Sequence, residues 1–229
     1  MNKNINLIYS SNHSKIIDRI IVNKRFEVVK IINDQIKKYS IDDVLDIGTT
    51  ADSENKSSNL IVKNLENIRY FKSISDQEIT SSFFEKKLKK SITGNFSKNE
   101  INEFASNLVI SNATIEHVGS FSEQRKMITN IIDLSKKLFI ISTPNRFYPI
   151  DFHTKLPLIH WLPKPLHRKI LNFLGMHFYK KEENLNLLGK SEIKDLLNVK
   201  NISYKIAFIR LFFFKSNFII IGKKIDREI

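Results

Sequence analysis

A glutamate and a histidine are adjacent at Glu116 and His117, shortly after the apolar run 108–110. An imidazole titrates near neutral pH, so His117 could take a proton from a bound molecule while the carboxylate of Glu116 orients it. Loops that follow buried strands often carry function. Glu116 and His117 are therefore catalytic candidates. The structural alternative is a glutamate that starts a helix beside a buried, hydrogen-bonded histidine.

Two further histidines, His153 and His160, lie in a stretch that contains prolines. Either could act as a base if the reaction must remove a proton from a hydroxyl or an amine. Their spacing matches no standard set of metal ligands, so the sequence predicts no metal site. We take His153 as a third catalytic candidate and expect His160 and Trp161 beside the substrate. The alternative for Trp161 is packing against the core.

The segment Val44-Leu45-Asp46-Ile47-Gly48 has the pattern of a short buried strand that ends in Asp-x-Gly. Glycine lets the backbone turn tightly and lets a ligand approach closely, and nucleotide-binding α/β folds begin in this way. A full fingerprint has several glycines, whereas this loop has one. An acidic residue after the second strand often binds ribose hydroxyls, and Asp76 follows the apolar run 68–74. The alternative at Asp76 is a turn or helix-cap acid.

A sheet must bring these residues together, and residues 107–146 supply its central unit. An apolar run at 108–110 is followed by a helical pattern at 122–136 and by a second apolar run at 138–141. Strand, helix and strand of these lengths form a right-handed βαβ unit. Because ligands bind beyond the carboxyl ends of parallel strands, we expect the site at residues 111–117 and 142–146.

Other segments predict the remaining elements of an α/β fold. They are a helix at 14–39 capped by Ser14, a second strand at 68–74, a third strand at 91–95, a helix at 191–197, and a hairpin of 202–214 and 217–221 joined at Lys215-Ser216. An antiparallel pair at the end of a parallel sheet is common. The sequence therefore predicts one domain over residues 1–229 with a doubly wound, mainly parallel sheet.

Residues 147–189, called the insert below, leave the predicted sheet at the carboxyl end of its fifth strand and hold four of the five prolines. A long excursion at this place is typical of a lid or binding loop. Residues 166–174 have an apolar helical face with basic residues beside it, the pattern of an interfacial helix. We predict a lid that selects an amphipathic or lipid-linked acceptor, with peripheral membrane contact. Alternatively, the apolar face packs on the sheet.

Composition narrows the class of protein. The 229 residues are 41% hydrophobic and 27% charged, as in a globular domain, and no cysteine is present, which excludes a disulfide scaffold. The formal net charge is +13, but the lysines are scattered and no aromatic-interleaved basic patch appears, so we expect no nucleic-acid partner. No signal peptide is recognisable, and no apolar run reaches the roughly 18 residues of a membrane span. We expect a cytoplasmic protein.

Four segments together resemble the class I S-adenosylmethionine-dependent methyltransferases of the type 11 group. They are the first-strand motif at 44–48, the Glu-His motif at 111–119, the fifth strand and its exit at 139–146, and the insert motifs at 152–163 and 182–188. The resemblance extends over residues 25–224. It implies a seven-stranded sheet with an antiparallel last strand, and S-adenosylmethionine as cofactor.

The resemblance also implies a place for each cofactor contact. Asp46, Gly48 and Thr49 would line the methionine end of the cofactor, and Asp76 would lie near its ribose. Gly94 and Asn95 would lie near the adenine. Asn112 and Ala113 would offer backbone carbonyls, with Glu116 and His117 at the mouth of the site. The predicted substrate contacts are Asn145, Arg146, His160 and Trp161.

The chain departs from the family at two positions. The family's first loop reads Asp-x-Gly-x-Gly-x-Gly, but here Thr50 and Ala51 leave one glycine, and Asn95 replaces an aspartate after the third strand. The sequence therefore predicts methyl transfer to a small-molecule, glycan-linked or lipid-linked acceptor. The alternative is a degenerate methyltransferase-like protein that serves as a binding partner. A nicotinamide-dependent oxidoreductase is disfavoured because its glycine fingerprint is missing.

Overall fold

The structure is a computed structural model that describes residues 15–52, 58–199 and 201–225. Ser14, the predicted cap of the first helix, lies outside these residues. The helices are α1 (Lys15–Tyr39), α2 (Leu60–Lys63), α3 (Lys98–Phe104), α4 (Phe121–Leu134), α5 (Lys164–Phe173) and α6 (Lys190–Leu196). The strands are β1 (Asp43–Ile47), β2 (Tyr70–Ser75), β3 (Lys86–Lys89), β4 (Ser106–Asn112), β5 (Ser135–Pro144), β6 (Ile202–Leu211) and β7 (Phe214–Lys224). Two short 3-10 helices are Ile115–His117 and Ile159–Trp161.

The described strands form one seven-stranded sheet in the order β3-β2-β1-β4-β5-β7-β6. Strands β1 to β5 are parallel, and β7 runs antiparallel between β5 and β6. This confirms the predicted Rossmann-like sheet with its antiparallel C-terminal strand. The register pairs Ile47 with Ser111 and Asn112 with Ser142, so the carboxyl ends of β1, β4 and β5 reach the same edge.

Two apolar layers cover the sheet because successive residues in its central strands point to opposite faces. In β4, Leu108 and Ile110 pack in the layer that contains α1, whereas Val109 packs in the layer that contains α4. Residues at helical spacing in α1, Val28, Ile32 and Ile36, are buried in the first of these layers. The apolar middle parts of β4 and β5 are buried on both sides, as expected for a parallel sheet.

The third strand lies elsewhere than the sequence predicts. It is Lys86–Lys89, an edge strand with mostly exposed side chains, and residues 92–94 form a turn instead. Lysines on an edge strand hinder pairing with a second molecule, which explains a strand without an apolar pattern. The next helix, α3, was not predicted, although Ser97 and Glu100 form a capping box at its start.

The C-terminal hairpin is present, but its turn differs from the prediction. The chain turns at Phe212 and Phe213, and Lys215 and Ser216 lie inside β7. Helix α6 begins at Lys190 after Gly189, one residue before the predicted start. Among the described residues, no helix is long and apolar enough to cross a bilayer.

Candidate functional site

At the end of β1, Asp46 is buried and its carboxylate accepts a hydrogen bond of 2.7 Å from the Thr49 hydroxyl. The Ser73 hydroxyl donates to Thr49 Oγ1 at 2.9 Å, and the Ser75 hydroxyl donates to the Thr49 carbonyl at 2.7 Å. Burial raises the pKa of Asp46 to about 6, and the Thr49 hydrogen bond only partly opposes this effect. The end of β1 therefore holds a carboxylate whose charge is poorly solvated and which a cationic ligand would stabilise.

Gly48 has a φ of 84°, in the left-handed region that glycine favours. A Cβ atom at this position would lie 2.2 Å from the Thr114 hydroxyl oxygen. The absent side chain therefore leaves room for Thr114 of the neighbouring loop. This close approach holds the loops after β1 and β4 together.

The predicted ribose and adenine contacts follow the neighbouring strands. Asp76 is exposed directly after β2, and Asn95 is exposed near the turn that follows β3. The carbonyl of Gly94 accepts a hydrogen bond of 2.9 Å from the Asn130 amide. Sequence reasoning missed Gln77, whose side-chain oxygen accepts a hydrogen bond from the Ala51 backbone at 2.9 Å and so ties the loop after β1 to the end of β2.

Ala113 follows β4 with a φ of 51°, a left-handed conformation that is uncommon for a residue other than glycine. Its amide donates to the Ser142 carbonyl at 2.9 Å, and the Ser142 hydroxyl donates to the side-chain oxygen of Asn112. These bonds fix the turn by which the chain leaves β4. Asn112 and Ala113 lie at the same sheet edge as Asp46 and Gly48, as predicted from the strand order.

The structure brings His117 and His153 together. Their Nε2 atoms are 3.2 Å apart, and the two rings meet edge to face. Nδ1 of His117 is 2.7 Å from the carbonyl of Asn184. Burial lowers the pKa of His117, so its imidazole is neutral at physiological pH.

Glu116 is fully buried beneath this pair. One of its carboxylate oxygens accepts a hydrogen bond of 2.9 Å from the Thr143 hydroxyl, and the other, Oε1, has no hydrogen-bond partner among the described residues. A buried carboxylate oxygen without a partner is costly unless a ligand or solvent molecule reaches it. The Glu-His pair thus differs from a simple helix start.

Sequence reasoning missed Asp151, which organises the start of the insert. Its Oδ1 atom lies 3.1 Å from His153 Nδ1, and its Oδ2 atom accepts a 2.7 Å hydrogen bond from the Thr154 hydroxyl. Burial acts to raise the pKa of Asp151, but the hydrogen bonds and charge of His153 and the bond from Thr154 hold it well below its usual range. A carboxylate two residues before a candidate histidine was the available signal.

Asn145 and Arg146 attach the end of β5 to its surroundings. The Asn145 amide donates to the Lys215 carbonyl at 2.8 Å. Arg146 donates to the His160 and Leu162 carbonyls at 3.0 and 2.7 Å. Asn145 therefore ties the end of β5 to β7, and Arg146 holds the insert against the sheet. Contact of these two residues with a substrate stays a prediction.

His160 and Trp161 lie together in the insert but point to different environments. Both ring N–H groups donate to the Tyr148 carbonyl, from His160 Nε2 at 2.7 Å and from Trp161 Nε1 at 3.2 Å. His160 is buried, whereas Trp161 is 41% exposed. The structure separates this pair from His153, which faces His117.

Neither protein-family profiles nor curated proteins match this sequence. Solved structures do match its fold. The magnesium protoporphyrin IX methyltransferase of Synechocystis PCC 6803, solved with bound SAM, is 11% identical, and the match covers 95% of this chain and 88% of that chain with a TM-score of 0.55. The N-methyltransferase NodS of Bradyrhizobium japonicum WM9 is 7% identical, with coverages of 93% and 99% and a TM-score of 0.53.

An O-methyltransferase family protein of Burkholderia thailandensis is 11% identical with a TM-score of 0.56, and the match covers 91% of this chain and 58% of that chain. At such identities the similarity concerns the fold. The sheet order, the antiparallel β7 and these matches agree with one another. The chain therefore has the fold of the class I S-adenosylmethionine-dependent methyltransferases.

Proposed function

We propose that the protein is a methyltransferase that uses S-adenosylmethionine. The observation that carries this proposal is the buried carboxylate of Asp46 at the end of β1, beside the left-handed turn at Ala113 after β4. In open parallel sheets, ligands bind in the crevice beyond these strand ends. Two of the structural neighbours described above are methyltransferases, and one of these was solved with bound SAM.

The residues at this edge suit the chemistry of that cofactor. Its amino group is cationic, and Asp46 offers a poorly solvated carboxylate. Its ribose hydroxyls need acceptors, and Asp76 is an exposed carboxylate after the adjacent strand. Thr49 would line the methionine end, and Gly94 and Asn95 would lie on the adenine side. Gly48 stays a proposed cofactor contact at this end, and Thr114 occupies the space that a Cβ atom at Gly48 would need.

When bound, the cofactor supplies a methyl group on a sulfonium that is already a good leaving group. The chain therefore has to align an acceptor and, for a hydroxyl or amine, to accept a proton. His117 is half-buried, and desolvation lowers its pKa, so its neutral ring can take that proton. Glu116, with one oxygen free of any described partner, would stabilise the resulting imidazolium.

We infer that the insert selects the acceptor. His153 reaches from it to His117, and Arg146 fixes it to the end of β5. Its exposed apolar side chains include Leu158, Trp161, Leu162, Leu166, Phe173 and Leu174. Such a surface beside the reaction site supports an amphipathic acceptor, either lipid-linked or glycan-linked.

The hairpin tip (Phe212, Phe213 and Phe214) extends this apolar surface. The rings of Phe213 and Phe212 are 95% and 75% exposed, and the ring of Phe214 lies 6.4 Å from that of Tyr148 at the start of the insert. Aromatic side chains at a protruding turn suit the interface of a bilayer. We include peripheral membrane contact in the proposal for this reason.

Transfer of labelled methyl groups from S-adenosylmethionine tests the proposed activity. Lipid, glycan and small-molecule fractions of a cell extract would be offered separately to the wild-type protein and to Asp46→Ala. We expect label in one fraction with the wild type and none with the variant. Equal labelling by both proteins would reject the proposed site, and label in none of the fractions would reject the proposed activity.

A further inference from the structure

Two histidines and a glutamate meet where the loop after β4 contacts the insert. Ligand atoms of Glu116, His117 and His153 all lie within 4.8 Å of one another. We propose that these three side chains bind a divalent transition-metal ion. The cluster combines residues 116 and 117 with a residue of the insert, which is why the spacing of His153 and His160 in the sequence did not indicate it.

The hydrogen bonds of the His117 and His153 rings leave one nitrogen of each ring available to a metal ion. Nδ1 of His117 faces a backbone carbonyl, and Nδ1 of His153 faces the carboxylate of Asp151. Both partners are acceptors, so each Nδ1 must carry the hydrogen. A ring whose hydrogen is on Nδ1 presents a lone pair at Nε2, and the Nε2 atoms of the two rings face each other at 3.2 Å. Two lone pairs at this distance repel each other, and a metal cation between the two Nε2 atoms removes this repulsion by accepting both.

The distance between the Nε2 atoms of His117 and His153 also suits a shared metal ion. Zinc binds imidazole nitrogen at about 2.05 Å, so two such ligands at the tetrahedral angle are about 3.3 Å apart. The observed 3.2 Å between the Nε2 atoms of His117 and His153 agrees with this value. The rings are therefore already placed as two neighbouring ligands of one ion.

The carboxylate of Glu116 supplies a third ligand. Glu116 is fully buried, and its Oε1 has no partner among the described residues, while Thr143 holds Oε2. Rotation of the carboxyl group towards an ion between the rings would give Oε1 the partner that it lacks. Two imidazoles and one carboxylate are a ligand set for zinc, iron, cobalt or manganese rather than for calcium.

The surroundings of the rings also match those of metal-binding histidines. Such histidines usually donate their second N–H group to a carboxylate or a carbonyl, which fixes the ring and raises its basicity. Asp151 accepts this hydrogen bond from His153, and the carbonyl of Asn184 accepts it from His117. Asp151 is therefore a positioning residue in this proposal.

An ion with three protein ligands keeps an open position for a water molecule or a substrate oxygen. With the ion bound, His117 is a ligand and no longer a base. The ion would bind the hydroxyl of an acceptor and lower its pKa, and the proton would pass to solvent. That role rests on the proposed methyl transfer, whereas the metal site itself does not. Metal binding can therefore succeed or fail independently of cofactor binding.

The test is titration of the chelator-treated full chain with cobalt(II) and zinc(II), followed by calorimetry and by the visible spectrum of cobalt. We expect one equivalent to bind the wild type. His117→Ala and His153→Ala should weaken binding about 100-fold or more, and Asp151→Asn about 10- to 100-fold. The control is His177→Ala, which removes an exposed histidine outside the cluster and should bind like the wild type.

Circular dichroism establishes that each variant is folded, and His117→Gln and His153→Gln replace any alanine variant that is not. Stoichiometric binding that both substitutions weaken supports the site. The variant with both His117 and His153 replaced serves as the reference. If the wild type binds metal no more tightly than this folded double variant, the proposed metal site is overturned. The two rings then share a proton instead. S-adenosylhomocysteine titrated into the same samples shows separately whether the cofactor site works.

Discussion

The Nε2 atom of His117 lies 3.2 Å from that of His153, and this contact joins the loop after β4 to the insert. One histidine belongs to the sheet edge where parallel strands end, and the other to a segment that Arg146 ties to the same edge. The insert is therefore part of the candidate site rather than a distant appendage. Substitution of His117 and His153 can therefore distinguish a catalytic role of this contact from a structural role.

If His117 accepts a proton from the acceptor, His117→Ala should lower kcat about 100-fold or more while leaving the affinity for S-adenosylmethionine nearly unchanged. Glu116→Gln retains the hydrogen bond with Thr143 and should lower kcat less. Turnover would be measured with the labelled fraction identified above, per folded molecule. Lower melting temperatures with unchanged turnover would instead make the pair structural.

Asp46→Asn should change how stability depends on pH. The folded pKa of Asp46, about 6, is raised above its ordinary value of 3.8, so its contribution to stability is complete below pH 3.8 and is lost as the pH rises through 6. Asp46→Asn has no carboxyl group to ionise at this position, so its stability does not fall in this way as the pH rises. Relative to the wild type it should gain up to about 3 kcal/mol in unfolding free energy between pH 4 and pH 7.

Urea unfolding at several pH values measures this difference, and Asp76→Asn at an exposed position is the matched control. The control should show no comparable pH-dependent gain. A constant offset between Asp46→Asn and the wild type at all pH values would contradict the raised pKa. The same variant should bind the cofactor more weakly because an amide cannot neutralise its amino group.

Gly48→Ala should destabilise the protein more than Gly175→Ala. Both glycines have a positive φ, 84° and 73°, so each substitution carries a backbone cost of about 1 to 2 kcal/mol. Only at Gly48 does the new Cβ also meet Thr114, which adds about 1 to 3 kcal/mol. At Gly175 nothing lies within 4 Å.

Thr114→Ala should recover part of the extra cost in the double variant, because the hydroxyl closest to the new Cβ is removed. Chemical denaturation of the wild type, Gly48→Ala, Thr114→Ala and the double variant gives the coupling energy between positions 48 and 114. Equal destabilisation at both glycines, with no coupling to Thr114, would mean that the loops after β1 and β4 are not in this close contact.

Phe213→Ser should reduce sedimentation with anionic vesicles at low salt, as should Trp161→Ala and Lys169→Glu. Tyr70→Ser is the matched control, since this ring is 57% exposed at the opposite end of a parallel strand. It should sediment like the wild type. Equal recovery of the wild type in the supernatant with and without vesicles would exclude membrane contact and leave a lid for a water-soluble acceptor.

The central part of the fold could be predicted because its elements are long and strongly patterned. The apolar runs that become β4 and β5, and the helical spacing that becomes α4, correspond to buried side chains on both faces of the sheet. The edge strand β3 has no such pattern since its lysines face solvent. The hairpin turn was misplaced because exposed phenylalanines at 212 and 213 read like a continuing strand.

The candidate site was predictable only in part for a similar reason. Strand order places Asp46, Asn112 and Glu116 at one edge, and strand order follows from sequence patterns. The contact between His117 and His153 depends on the path of an irregular insert, which no periodicity determines. Asp151 lies two residues before a candidate histidine in the sequence, but its positioning role follows from its contact with the ring of His153.

The central claim is that the crevice at the ends of β1 and β4 binds S-adenosylmethionine, and calorimetric titration tests it most directly. S-adenosylhomocysteine and NAD would be titrated separately into the wild type and Asp46→Asn at pH 8, where the wild-type carboxylate is charged. We predict one equivalent of S-adenosylhomocysteine bound to the wild type, weaker binding to the variant, and no binding of NAD. Absence of binding at millimolar S-adenosylhomocysteine by a folded wild-type protein, or preferential binding of NAD, would contradict the claim.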